Sequence, residues 1–161
     1  MNEAFMRKAI ELSIENVKNG GGPFGAVIVR GDELIATGVN RVTDNNDPTA
    51  HAEVSAIRAA CEKLGTFNLE GCEIYTSCEP CPMCLGAIYW AHLDRMYYGN
   101  NKHDAAAIGF DDSFIYEEIA LTPEKRRLGT RHNRHSATGW TRLTRWNIET
   151  VRPLTPDGNP D

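Results

Sequence analysis

The pattern of apolar and polar positions predicts three helices in the first 90 residues. Apolar residues between Phe5 and Val17 recur at steps of three and four, which is typical of an amphipathic helix over residues 3–18. The glycine run that follows, closed by Pro23, ends this helix. A second helix is predicted from about residue 50 to Leu64, with Thr49 as its N-cap. A third opens at residues 80–82 and runs to residue 90, since proline is tolerated in a first helical turn.

Four short apolar runs between these helices predict β-strands. They cover residues 26–29, 34–37, 72–76 and 95–98. Gly31 and Asp32 indicate a hairpin turn between the first two strands, and the polar residues 43–48 indicate a loop. The order α-β-β-α-β-α-β is that of a three-layer α/β domain.

The pattern weakens beyond about residue 120, where Pro, Gly, Arg and Thr become frequent. Trp140 and Trp146 are the large apolar residues of that segment. We therefore predict one domain over residues 1–120 and a C-terminal tail over residues 121–161 that frays from residue 152.

Composition and charge narrow the class of protein. The chain of 161 residues is 41% hydrophobic and 24% charged, which is typical of a globular protein. No apolar run reaches the roughly 20 residues of a membrane helix. Residues 1–120 carry 9 basic and 18 acidic residues, whereas residues 121–161 carry 8 and 4. The acidic body argues against a surface that binds nucleic-acid phosphates.

Five cysteines, three of them close together as Cys78, Cys81 and Cys84, indicate thiolate chemistry or metal binding, whereas Cys61 and Cys72 are predicted to be core and Cys78 a buried thiol. No signal peptide opens the sequence, so we expect a cytoplasmic protein in which a disulfide framework is disfavoured.

The strongest chemical signal is a pair of motifs, His51-Ala52-Glu53 and Pro80-Cys81-Pro82-Met83-Cys84. Both motifs stand where a helix begins, and Cys81 and Cys84 share one helical face. One imidazole and two thiolates supply three ligands for tetrahedral zinc and leave the fourth position to water, as in catalytic sites. Helix N-termini also favour thiolates, because their partial positive charge lowers the cysteine pKa.

Glu53 gives this ligand set a hydrolytic function. Two positions from His51, it can take a proton from a zinc-activated water and deliver it to a ring nitrogen and then to a leaving amine. A C-x-x-C pair alone is more often a structural zinc half-site or a redox pair, and a lone histidine at a helix start is more often a solvated cap. The composite H-x-E…P-C-x-x-C is the signature of zinc nucleobase deaminases.

With these motifs the chain resembles the cytidine-deaminase-like superfamily of zinc-dependent deaminases, and within it the short bacterial guanine deaminases. The resemblance covers about residues 4–120. It is carried by GPFGAV (22–27), NDPTAHAE (46–53), YTSCEPCPMCLGAIYW (75–90) and GFDDSFIY (109–116). The middle two segments are shared widely in the superfamily, and the last is more particular to guanine deaminases.

The resemblance implies a three-layer α/β/α fold with a five-stranded mixed sheet, in which residues 1–120 are the catalytic domain. It implies Zn²⁺ held by His51, Cys81 and Cys84, with Glu53 as the proton shuttle. The implied reaction is hydrolytic attack on C2 of guanine, which gives xanthine and ammonia. A purine base is then the small-molecule partner, and a homodimer is expected by analogy.

By position, the resemblance also implies substrate contacts. Asn40 would hydrogen-bond the purine ring, Phe24 would pack against the base, and Asp112 would face its N1 and amino edge. We also predict that the backbone N–H groups of Ala52 and Cys81 orient the attacked centre. Each residue has a plainer alternative, since Asn40 could be a turn residue, Phe24 core and Asp112 a solvated cap.

The tail departs from the family. In the family it closes over the active site as a lid with an aromatic residue, but no residue of 121–161 aligns with that aromatic, and Trp140 and Trp146 are candidates. His132 and His135 have metal-ligand spacing, yet they lie among arginines and are predicted to be solvated.

Other functions use the same ligand set. tRNA adenosine deaminases resemble the chain at residues 47–53 and 80–84, but Asp111 and Asp112 beside the predicted site would repel phosphates. Deamination of another small amino-heterocycle, such as cytosine or an amino-triazine, would need only different pocket contacts. A non-catalytic zinc module is disfavoured because Glu53 is present.

Overall fold

The computed structural model describes residues 1–131. Residues Met1–Glu117 form one compact unit, and a second begins at Glu118. The tail residues singled out above, Trp140, Trp146, His132 and His135, lie outside the described residues.

The predicted helices and strands are all present, and further short helices join them. The helices are α1 (Glu3–Lys18), α2 (Val42–Asn45), α3 (Ala52–Leu64), α4 (Pro82–Trp90), α5 (Lys102–Ala107) and α6 (Ser113–Ala120), with a 3-10 turn at Pro123–Lys125. The strands are β1 (Gly25–Arg30), β2 (Glu33–Val39), β3 (Glu73–Cys78) and β4 (Arg95–Asn100). Within residues 1–131, no helix has both the length and the apolar character needed to cross a bilayer.

The strands form one mixed sheet in the order β2-β1-β3-β4. β1 is antiparallel to both β2 and β3, whereas β3 and β4 are parallel. The sheet alternates its buried side chains between two faces. Ala26 and Ile28 of β1 pack against α3 and α4, while Val27 and Val29 pack on the other face around Ala9 of α1. This alternation confirms the three-layer α/β/α architecture.

The prediction of a fifth strand is wrong for the described part of the chain, where the sheet has four strands. After β4 the chain turns at once into α5. The Asn101 side chain accepts hydrogen bonds from the N–H groups of His103 and Asp104, and Asp104 accepts from the Asn101 N–H in return. This capping box and the alanines that follow favour a helix over another strand.

Two local predictions around residues 42–51 are also wrong. The polar loop contains the one-turn helix α2, and α3 begins at Ala52 with His51, not Thr49, as its N-cap. The Thr49 hydroxyl and N–H both donate to Asp47 Oδ1, at 2.7 and 2.8 Å. Thr49 therefore closes the turn before the helix, which leaves the cap position to the predicted metal ligand.

The start of α3 lies directly on β2. A Cβ atom placed on Gly38 would collide with the backbone oxygen of Ala52 and the backbone nitrogen of Ala56. Only glycine permits this close approach, which fixes the height of the first turn of α3 above the sheet.

Candidate active site

Two helix starts bring the three predicted metal ligands together. His51 and Cys81 are the N-caps of α3 and α4, and neither side chain forms a capping hydrogen bond. Cys84 lies one turn into α4, on the face of Cys81. The Nδ1 atom of His51 lies 3.6 Å from Cys81 Sγ and 3.4 Å from Cys84 Sγ. All three ligand atoms lie within 4.8 Å of one another.

These distances fit a tetrahedral zinc ion. Zn–S bonds of about 2.3 Å and Zn–N bonds of about 2.0 Å, at a tetrahedral angle, separate nitrogen from sulfur by roughly 3.5 Å. The donor set of one imidazole and two thiolates also matches the preference of Zn²⁺ over harder cations.

The two cysteines of the site have pKa values shifted in opposite directions. Hydrogen bonds from Cys84 and His51 lower the pKa of Cys81 to about 4, although burial opposes this shift. The pKa of Cys84 is raised, first because its proton is held in the hydrogen bond to Cys81 and then because of burial. A metal ion that takes both sulfurs must therefore displace the Cys84 proton.

Glu53 lies in the first turn of α3 and is only 7% exposed. Burial raises the pKa of its carboxyl group, while a hydrogen bond with Cys84 lowers it by less. A raised pKa makes a carboxyl group a better proton acceptor, which suits a group that must take up a proton and then release it.

A cavity of about 720 Å³ contains most of the predicted site. It is lined by His51, Glu53 and Cys81 together with Phe24, Asn40 and Asp112. Ala52 is not among the lining residues, because its side chain is fully buried in the core. Its predicted role therefore depends on its backbone N–H, which is among the α3 donors that have no partner inside the helix.

Asn40 follows β2 and is supported by a residue that the sequence analysis did not single out. Its Oδ1 accepts from the N–H of Val42 at 3.2 Å, which directs Nδ2 to other partners. The buried Asn16 of α1 donates to the backbone oxygens of Asn40 and Gly22, both at 2.8 Å. The sequence does carry a signal for this supporting role of Asn16, because a polar residue stands there on the apolar face of α1.

Phe24 packs against a second aromatic ring at the cavity. Its ring is edge-on to that of Phe110, with centroids 5.0 Å apart and an interplanar angle of 89°. This geometry is favourable for two aromatic rings. Phe110 lies in the 109–116 segment of the resemblance, but it was not assigned a role from the sequence.

Asp112 stands immediately before α6 and is partly buried. Burial raises the pKa of its carboxyl group, and the positive charge of Lys102 acts in the opposite direction. Lys102 and Glu79 also line the cavity, and the Lys102 N–H donates to Glu79 Oε2 at 3.0 Å. Neither residue was singled out from the sequence, because neither belongs to the ligand motifs.

A three-layer fold that holds one histidine, two cysteines and a buried glutamate at adjacent helix starts defines a zinc-dependent hydrolytic deaminase. The model of the cytidine and deoxycytidylate deaminase zinc-binding region matches residues 1–100, and the chain belongs to this family.

Two relatives differ in how much of this chain they match. The guanine deaminase of Bacillus subtilis (strain 168) is 57% identical over 128 residues, which are 79% of this chain and 82% of that protein. The tRNA-specific adenosine deaminase of Agrobacterium fabrum (strain C58) is 45% identical over 86 residues, or 53% of this chain and 57% of that protein.

Two solved structures superimpose on the chain to different extents. The X-ray structure of guanine deaminase from Bacillus subtilis superimposes with a TM-score of 0.84 at 51% identity, covering 89% of this chain and 95% of that one. A crystal structure in complex with 2,6-diaminopurine has a TM-score of 0.66 at 40% identity and covers 68% of this chain and 62% of that one.

Proposed function

We propose that this protein is a zinc-dependent guanine deaminase that converts guanine and water to xanthine and ammonia. The observation that carries the proposal is the presence of Asp112 in one cavity with His51, Cys81 and Glu53. Guanine presents two donors on one edge, its N1–H and its 2-amino group, and one carboxylate can accept both. Adenine presents an acceptor at N1, so the same carboxylate would disfavour it.

The similarity to known deaminases supports the same substrate. The Bacillus subtilis relative is a guanine deaminase, and its similarity extends over most of both chains. The neighbour that binds 2,6-diaminopurine takes a purine with an amino group at the same ring position.

The proposed chemistry assigns the ligand set to His51, Cys81 and Cys84. When bound there, zinc lowers the pKa of a coordinated water to about 7. Glu53 accepts a proton from the attacking water, donates it to a ring nitrogen, and then transfers a proton to the departing amine. Its burial keeps bulk water away from the carboxyl group, so the proton stays within the site.

The remaining contacts position the base. Asp112 holds the N1 and amino edge, Asn40 Nδ2 hydrogen-bonds the ring, and Phe24 packs on its face beside Phe110. The Ala52 N–H group at the start of α3 orients the attacked centre. Together these groups place C2 of the ring at the metal side of the cavity.

The test is ammonia release by zinc-loaded protein from guanine, adenine, cytosine, their nucleosides and an amino-triazine. We expect kcat/KM for guanine to exceed that for every other compound by about 100-fold or more, with xanthine formed in equal amount to ammonia. Preference for any other compound, or zinc-loaded protein that leaves guanine unchanged, would overturn the proposal.

A second candidate function is deamination of adenosine in tRNA, favoured by the Agrobacterium fabrum relative. The cavity carries Asp111 and Asp112, which would repel a phosphate backbone. An added arm of the assay incubates the protein with tRNA and measures inosine. Inosine formation without xanthine formation would favour the tRNA function.

We also infer that the protein is a homodimer in the cytoplasm. Tyr89 and Trp90 at the end of α4 are 74% and 83% exposed, and exposed aromatic area is typical of protein interfaces. All five cysteines are free, as expected in a reducing compartment. Light scattering of the wild type and of Trp90→Lys tests the dimer, because a monomeric wild type would exclude it.

A further inference from the structure

The cavity contains several carboxylates, the imidazole of His51 and one lysine. Of the described residues that line it, Glu53, Glu79, Asp111 and Asp112 are acidic, and Lys102 is the one lysine or arginine. An acid in such surroundings tends to take up a proton, because burial and like charges both disfavour the ionised form. A protonated Asp112 could not accept both donors of the guanine edge, so its ionisation matters for the proposed function.

The backbone of Lys102 is fixed on both sides. Lys102 is the first residue of α5, and its N–H donates to Glu79 Oε2 at 3.0 Å. The preceding residue, Asn101, forms the capping box with Asp104. The side chain therefore starts from a defined point beside the cavity.

The ammonium group of Lys102 has a specific neighbour. Its Nζ lies over the ring of Tyr116, 4.7 Å from the centroid, which is a cation–π contact. Tyr116 lies in α6, and Asp112 stands immediately before that helix, four residues earlier. Within residues 1–131 Lys102 forms no salt bridge. No described carboxylate is therefore paired with the Lys102 ammonium group in a salt bridge.

Several charged groups act on Asp112 from the surrounding elements. Cys81 at the start of α4 and the neighbouring Asp111 raise its pKa, and burial raises it most, whereas Lys102 lowers it. Glu53 and Glu79 line the same cavity from α3 and from the segment after β3. His51 lines the cavity as well. Among the lysines and arginines of the described residues that line the cavity, Lys102 is the one that lowers the pKa of Asp112.

We propose that Lys102 is a positioning residue of the deamination reaction, whose ammonium group, held over the Tyr116 ring, keeps Asp112 ionised for the N1 and amino edge of guanine. The inference rests on the proposed function, because it assigns Lys102 a role through Asp112.

The experiment compares the pH dependence of kcat/KM for guanine in zinc-loaded full-length wild type, Lys102→Met and Lys102→Arg. Lys102 lowers the pKa of Asp112, so its removal should raise that pKa and move the acid limb to higher pH. We expect a displacement of about one pH unit in Lys102→Met. Lys102→Arg keeps the charge and the contact with the ring and should restore the wild-type limb. Lys8→Met, which removes an exposed lysine of α1, is the matched control and should leave the profile unchanged.

A second background separates a charge effect from a structural one. In Asp112→Asn the titrating group is gone, so adding Lys102→Met should produce no further displacement of the residual activity profile. The inference is overturned if the wild type deaminates guanine but Lys102→Met keeps its acid limb, or if the displacement persists in Asp112→Asn. Failure of the wild type to act on guanine would instead overturn the proposed function. Zinc content and thermal unfolding of each variant confirm that it is folded and loaded.

Discussion

At the scale of single residues, the cavity places two carboxylates in environments that suit different tasks. Glu53 is almost fully buried beside Cys84, and its raised pKa suits a group that carries a proton. Asp112 is less buried; burial raises the pKa of its carboxyl group, and the positive charge of Lys102 opposes this shift and so favours the ionised form that accepts hydrogen bonds. Enzymes commonly assign acid and base roles through such differences in environment.

Replacing Glu53 tests the proton-transfer role. Glu53→Gln keeps the shape of the side chain but cannot carry a proton, so we expect kcat for guanine to fall by about 1,000-fold or more. Zinc content measured by elemental analysis should not change, because Glu53 is not a ligand. Glu62→Gln, an exposed position on the same helix, is the control and should retain wild-type activity. A Glu53→Gln enzyme with near-normal turnover would contradict the assignment.

Replacing Asp112 tests recognition of the guanine edge. Asp112→Asn removes the charge and turns one acceptor into a donor that faces the N1–H or the amino group. We expect kcat/KM for guanine to fall by about 100-fold or more, since charged hydrogen bonds contribute about 1.5–3 kcal/mol each. Asp32→Asn in the β1–β2 hairpin removes the same charge far from the cavity and should have no effect. Unchanged guanine kinetics in Asp112→Asn would refute this contact.

At the scale of elements, the site depends on where α3 and α4 begin. The apolar periodicity predicted both helices, but it placed the start of α3 near residue 50. The structure begins α3 at Ala52, because Thr49 is held in the turn with Asp47. Propensity and periodicity define the body of a helix well, whereas its first residue depends on competing local hydrogen bonds.

The contact between β2 and α3 predicts a mutation that acts on the site from a distance. The added methyl group of Gly38→Ala would collide with the backbone of Ala52 and Ala56. Backbone cannot move aside as a flexible side chain can, so we expect a loss of about 1–3 kcal/mol in the free energy of unfolding. Zinc affinity should also weaken, because the first turn of α3 carries Glu53 and follows His51. Denaturant unfolding and zinc competition measure the two effects.

A matched substitution in α4 should act in the opposite direction. Gly86 lies inside this helix, and a methyl group added to it would meet no atom of another described element within 4 Å. Gly86→Ala is therefore expected to raise stability by about 0.5–1 kcal/mol. If Gly38→Ala and Gly86→Ala changed the free energy of unfolding equally, the close approach of α3 to β2 would not be the reason that position 38 requires glycine.

At the scale of the whole molecule, the ligand set joins chain segments that are distant in sequence. His51 precedes α3, and the two cysteines lie 30 and 33 residues later at the start of α4. Both helices pack on the same face of the sheet, and residues from both belong to one apolar core. A metal ion held by these ligands ties that layer together at the helix starts.

Removal of zinc should therefore lower the stability of the domain. Zinc at 1,000 times its dissociation constant contributes about 4 kcal/mol to folding, so a chelator should lower the melting temperature clearly. Cys84→Ser should show the lower value with or without the chelator. Cys61→Ser changes a cysteine outside the site and should keep the chelator response. A wild-type melting temperature that is insensitive to complete zinc removal would contradict a metal that links the two helices.

Features that depend on local spacing could be predicted from the amino-acid sequence alone. The helical period of α1, the two apolar faces of β1 and the pairing of Cys81 with Cys84 on one helical turn all follow from neighbouring residues. The composite motif indicated zinc and Glu53 for the same reason, since each half of it is contained within a few residues.

Which distant groups meet at the cavity became apparent from the packing of the elements. The support of Asn40 by Asn16, the contact of Phe24 with Phe110 and the placement of Lys102 over Tyr116 each join different elements. The chain also left the sheet after four strands, because the capping box at Asn101 started a helix there. Long-range contacts of this kind depend on how the elements pack, and no local pattern of polar and apolar residues specifies them.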